Sequence, residues 1–151
     1  MPILLLRVAA TAGALYFGGL FIYAGFAKIW DQGPLQFTDD IRSFHLLEDP
    51  WVAIVALFLP WVEILCGGAV VLGPLRKGGL AILTASLVVF LIGIAIAWHR
   101  GIDLNCGCFG KTESHSTNAE LFWRDIGLLA LGSVLLLLPR RVSPYGIGGR
   151  T

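Results

Sequence analysis

Residues 103–110 read DLNCGCFG, so Cys106 and Cys108 stand one glycine apart in a polar stretch that follows a long apolar run. Fully extended, their Cα atoms would lie about 6.6 to 7.2 Å apart, whereas disulfides usually span about 4.4 to 6.8 Å. The segment closes a bridge only by bending, which Gly107 makes sterically cheap. As a staple the ring is weak: closing three residues gives roughly 1.6 kcal/mol, against roughly 3 for a fifteen-residue loop. A weakly stabilising, strained and exposed disulfide suits reversible thiol exchange better than structure. Metal binding competes with that reading. An iron–sulfur cluster usually needs four thiolates, and the chain has three cysteines. Zinc would draw on His99 and His115, with six residues between each and the nearer cysteine, but zinc-binding cysteine pairs usually leave about two to four residues between them, not one. The third cysteine, Cys66, lies in another apolar run, about 22 Å of helix from its outer end, and reads as a buried, inert thiol.

The elements that hold the pair are set by composition. The chain has 151 residues, 56% hydrophobic and only 14% charged, with a mean hydropathy of +0.78, well outside the range of soluble domains. A net charge of +1 offers no basic field for nucleic acid. Four apolar stretches, at about Val8–Ala27, Trp51–Leu72, Gly79–Trp98 and Leu121–Leu138, each have roughly the 17 to 25 residues a membrane-crossing helix needs. In lipid the backbone must satisfy its own hydrogen bonds, so these are expected to be helices. They lack the polar faces that helices of a soluble bundle would show. The expected fold is all-α, a polytopic four-transmembrane-helix bundle forming one domain over residues 1–151. The first stretch is too long for a signal-peptide core and carries no small-residue cleavage pattern, so it is expected to be retained. Asp49-Pro50 is expected to start the second helix and Gly73-Pro74 to end it; Gly101 closes the third, and Thr117 with Glu120 caps the fourth, which stops at Pro139.

Orientation follows from the basic residues. Arg7, Arg76, Lys77, Arg140, Arg141 and Arg150 gather at the N-terminus, the short middle loop and the C-terminus. Lys28, Arg42, Arg100 and Lys111 are diluted over two longer loops. Both termini are therefore expected to be cytoplasmic, with Cys106 and Cys108 facing outward, where disulfides persist. Trp30, Trp51, Trp98 and Trp123 would form an aromatic belt at the outward interface. In the first outward loop Phe37, Ile41, Phe44 and Leu47 are spaced for one face of a short amphipathic helix lying along the membrane; a solvated loop is the alternative.

Two charged positions fall inside the apolar stretches. Glu63, near mid-membrane and less than a turn after Pro60, is expected to be protonated or paired and to face the bundle interior. It serves either as a proton or quinone-head contact or as a hydrogen-bonded structural acid. Arg124, followed by Asp125, either snorkels to the surface or points inward beneath the cysteine loop, where its charge would stabilise a thiolate or a reduced quinone.

GFAKIW at the end of the first stretch, LPWVEILCG in the second, RGIDLNCGCFG after the third and WRDIGLL opening the fourth together resemble the MauE branch of the DoxX-like redox-associated membrane proteins. The resemblance runs from about Gly18 to Leu138, with NCGCFG its most specific part. It implies a four-helix membrane protein tied to disulfide chemistry. The branch's namesake serves maturation of the disulfide-rich small subunit of methylamine dehydrogenase beside a thioredoxin-like partner, and wider relatives occur in quinone-linked systems. On this basis Cys106 and Cys108 are the expected redox pair. Lys28, Glu63 and Arg124 are carried over as polar positions of the family pattern, and His99 and Trp123 join them as expected quinone contacts. The expected function is a thiol:disulfide oxidoreductase of the inner membrane. The pair would exchange with a thioredoxin-like or secreted protein and the bundle with membrane quinone, using neither an iron–sulfur cluster nor zinc. A rival of another class is a non-catalytic anchor or assembly subunit whose cysteine pair is structural or metal-binding.

Overall fold

The computed structural model describes residues 2–31, 33–43, 45–73, 75–101 and 118–138. Phe44, Cys106, Cys108, His115 and Thr117, and with them the expected redox pair, the second zinc histidine and the capping box, lie outside the described residues. Five helices run in the order α1 (Pro2–Trp30), α2 (Gly33–Ser43), α3 (Trp51–Leu72), α4 (Arg76–His99) and α5 (Asn118–Leu137), with no strand among the described residues. Three of them are long and apolar enough to cross a membrane: Ile3–Trp30, Trp51–Leu72 and Arg76–His99. The fifth, 20 residues long, carries Glu120, Arg124 and Asp125 in its first two turns.

The long helices alternate in direction. Gly18 of α1 abuts Gly67 and Val71 of α3, and Gly25 abuts Pro60 and Ile64, so the two run antiparallel. Gly79 of α4 packs on Cys66 and Val70 of α3, while Gly132 of α5 meets Thr84 of α4 and Phe17 of α1. Four helices thus enclose one apolar centre, filled by Ala14, Phe17 and Phe21 of α1, Val70 of α3, Leu80, Leu83 and Leu87 of α4, and Leu128 and Leu135 of α5. The C-terminal ends of α1 and α4 and the N-terminal ends of α3 and α5 share one end of the bundle. Trp30, Trp51, Trp98 and Trp123 all stand exposed there.

Several boundaries differ from the sequence reading. Helix α1 extends from Pro2 to Trp30, so Lys28, expected in a loop, lies within it. Asp49 does not cap α3: its carboxylate accepts from Arg42 Nη2 at 3.3 and 3.2 Å, and Pro50 stands before the first turn with no side-chain cap. Gly73, at φ 96°, does close α3 in the left-handed conformation, its N–H donating to Ala69 O. Arg76, expected in the short loop, is instead buried in the first turn of α4, where Nη2 donates to Ala10 O at 3.1 Å. Between α1 and α3, α2 ends at Ser43, which leaves Leu47 beyond it and exposed. Phe37 and Ile41 are buried against Val52 and Ala56 of α3, and this contact, rather than the expected four-residue face, seats α2 on the bundle.

The outer surface of α2 is held differently. Arg42 bridges Asp39 at 2.8 Å and Asp49 at 3.2 Å, but all three side chains are at least half exposed. Exposed ion pairs contribute little. Arg42→Ala is therefore expected to change unfolding stability in detergent by no more than about 1 kcal/mol, whereas a larger loss would mean that the Arg42 bridges, and not Phe37 and Ile41, anchor α2.

Candidate functional site

A charged cluster lies inside the tryptophan-bearing end of the bundle. Lys28 is two residues from the end of α1, while Glu63 is about 18 Å along α3 from Trp51 at the helical rise. Their side chains bridge the gap because Cα–Cβ bonds tilt toward a helix's N-terminus. In antiparallel neighbours Lys28 leans inward and Glu63 leans outward. Lys28 Nζ donates to both carboxylate oxygens of Glu63, at 2.7 Å to Oε1 and 2.6 Å to Oε2, and each side chain is only 2% exposed. Two aromatic rings flank the ammonium: Phe37 of α2 with its centroid at 5.5 Å and Phe90 of α4 at 5.9 Å, both within cation–π range. One lysine thereby joins α1, α2, α3 and α4.

A second ion pair faces the first from α5. Arg124 Nε and Nη2 each donate to Asp125 Oδ1 at 3.2 Å, with Asp125 buried and Arg124 29% exposed. Both residues are near enough for their charges to act on Lys28. Between the pairs is a cavity of about 30 Å³, lined by Lys28, Glu63, Arg124 and Asp125 on its polar side and by Phe21, Leu87, Phe90, Ile94 and Leu121 among its apolar walls. Such a space holds about two water molecules.

Residues 6–138 match the family model described as methylamine utilisation protein MauE. The chain belongs to the MauE family. The methylamine utilization protein MauE of Methylophilus methylotrophus is 25% identical over 140 residues, which cover 91% of this chain and 73% of that relative. No solved structure matches. The three apolar helices and the family together make the chain a multi-pass membrane protein. The MauE-family match spans both ion pairs and also Cys106 and Cys108.

Of the residues singled out in the sequence, this MauE-family chain brings Lys28, Glu63 and Arg124 together at one cavity. Glu63 is paired rather than solitary, and Arg124 turns to Asp125 and the cavity. His99 and Trp123 stand exposed at the same end and do not line it. Cys66 is a free, partly buried cysteine of α3 packed at the edge of the core. Asp125, Phe37 and Phe90 were not expected at the site. Asp125 carried a usable signal, as an acid inside an apolar stretch beside an arginine; Phe90 carried none, being one aromatic residue in an apolar run.

Proposed function

We propose that this MauE-family protein is a membrane thiol:disulfide oxidoreductase serving maturation of a disulfide-containing extracytoplasmic protein. Cys106 and Cys108 are its exchanging pair. The single observation that carries the reading is the position of the charged cluster, buried at the end of the bundle where α4 closes at Gly101 and α5 begins at Asn118. The cysteine segment joins those two residues. A thiolate on one chain attacks a disulfide sulfur on the other, forming a mixed disulfide and releasing one thiolate. The second cysteine then attacks the mixed disulfide, forming the new bond and releasing the partner. A fixed guanidinium such as that of Arg124 at this end favours the thiolate form. The relative's name ties it to methylamine utilization, and the same accessory setting, beside a thioredoxin-like partner, is part of this reading.

The reading also takes α5 as a fourth crossing and the membrane as the cytoplasmic one, with both termini inside. It is supported by the four exposed tryptophans at one end of the bundle and by Arg7, Arg76 and Lys77 at the other. Membrane quinone is the proposed electron partner. In this reading the quinone head meets the cluster at the rim of the cavity.

Thiol trapping in intact membranes tests the function. In a Cys66→Ser background, Cys106 and Cys108 are expected to shift between alkylatable and protected forms when quinone supply is changed. A pair that stays oxidised under every condition supports a non-catalytic anchor instead. A pair always reduced, with zinc copurifying and lost on His99→Ala, supports a metal site.

A further inference from the structure

We infer that the cavity between the two ion pairs is a hydrated proton site and that Glu63 is the group that takes up and releases the proton. The inference stands apart from the cysteine chemistry and uses only groups within the bundle. The cavity meets both requirements for ordered water, a volume of about 30 Å³ and several polar partners. Among the described residues its other walls are hydrocarbon, and Lys28, Glu63, Arg124 and Asp125 are the polar side chains they offer to water there.

The four charged groups are not equivalent. Arg124 does not give up its proton in proteins, and its guanidinium places two N–H groups on one oxygen of Asp125. That pair is a fixed background. Glu63 is paired with an ammonium instead, and the ammonium has a second means of support: the rings of Phe37 and Phe90 flank Nζ on α2 and α4. Lys28 therefore keeps its charge partly stabilised when Glu63 is neutralised. The groups facing Glu63 are Lys28 from α1, Arg124 and Asp125 from α5, and only apolar side chains from α2 and α4 among the described residues. At rest, among the described residues, two cations balance two anions. A proton delivered by cavity water adds to a Glu63 carboxylate oxygen, Lys28 retains its three protons, and the cluster gains one positive charge. No other bond is made or broken. Arg124, partly exposed, marks the side on which the cavity communicates with water.

The ion pair itself argues for such a role. A buried pair is weak support for a fold, since well-packed apolar side chains of similar volume often do as well. An acid within an apolar span is a functional-site hypothesis by default.

Infrared difference spectroscopy of the full chain in lipid nanodiscs, scanned between about pH 3 and 11 to bracket ordinary carboxyl and lysine titration, decides it. Beside the bands of the chain's other acids, the expected result is a protonated-carboxyl band that grows as pH falls, shifts in deuterium oxide, is absent from Glu63→Gln and persists in Asp125→Asn. Should Glu63→Gln fail to fold, the charge-free pair Lys28→Met/Glu63→Gln must lack the band. A band lost in Asp125→Asn but kept in the Glu63 variants overturns the assignment. A wild-type spectrum in which every exchangeable carboxyl band survives Glu63→Gln shows a permanent ion pair and overturns the proton site altogether.

Discussion

Lys28→Met is expected to lower unfolding stability by about 3 to 5 kcal/mol, and Glu63→Met by a similar amount, because each leaves a charged group in the bundle interior without its counter-ion. The double variant Lys28→Met/Glu63→Met is expected to lie within about 1 kcal/mol of the wild-type protein, since it removes both desolvation costs together. The pair occupies adjoining volumes on α1 and α3, at 2.6 Å between charged atoms, so methionine at both positions fills the space with flexible apolar side chains. The measurement is equilibrium unfolding in mixed micelles followed by helical circular dichroism, analysed as a double-mutant cycle. If the two losses simply add in the double variant, charge pairing is not what the site contributes, and packing of the long side chains is.

The second large effect is expected along the contact between α1 and α3. A Cβ at Gly18 would come within 2.8 Å of both Gly67 O and Val71 Cγ2, and one at Gly67 within 2.7 Å of Gly18 O. A carbonyl cannot swing aside as a side-chain end can, so the helices must separate. Gly18→Ala and Gly67→Ala are each expected to cost about 1 to 3 kcal/mol, as for other overpacked interiors. Their sequence neighbours supply the control. Gly19 and Gly68 have nothing within 4 Å of a built Cβ, so Gly19→Ala and Gly68→Ala are expected to leave stability unchanged or slightly higher. The same micelle unfolding assay reads all four, and equal losses at Gly18 and Gly19 would mean that lipid contact, rather than α3, constrains this face. Close approach through small residues is the usual means by which membrane helices associate.

The helices were legible in the sequence because hydrocarbon length is a coarse, one-dimensional requirement. Their ends were not. Hydropathy stops at a charge, whereas backbone hydrogen bonding does not, so α1 runs past Arg7 at one end and Lys28 at the other, and α4 takes in Arg76 and Lys77. Charge inside an apolar stretch marked Glu63 and Arg124 as residues with a reason to be there, but it could not name their partners. Lys28 and Glu63 are 35 residues apart, and only the antiparallel packing fixed by Gly18, Gly25, Gly67 and Pro60 brings their levels together. Resemblance to a family had already put Lys28, Glu63 and Arg124 in one group. Their common cavity is a physical relation that neither spacing nor composition expresses. The capping expectation at Asp49 failed for a local reason: its carboxylate had a cation, Arg42, within reach.

The bridging role of Lys28 also bears on how the chain is put together during synthesis. At about 5 to 20 residues per second, the 35 residues separating it from Glu63 delay the arrival of the carboxylate by about 2 to 7 s. Throughout that interval α1 holds a lysine with no acid from α3. Because Lys28 is only two residues from the end of the helix, its ammonium can rest at the lipid headgroups with its stem lying along α1. Phe37 emerges before Glu63 and gives the waiting ammonium its first ring. Only when α3 is delivered does the side chain turn inward. A nascent chain lacking Glu63 is thus expected to insert α1 normally and to seat α2 through Phe37 and Ile41, but to keep its lysine at the surface for longer.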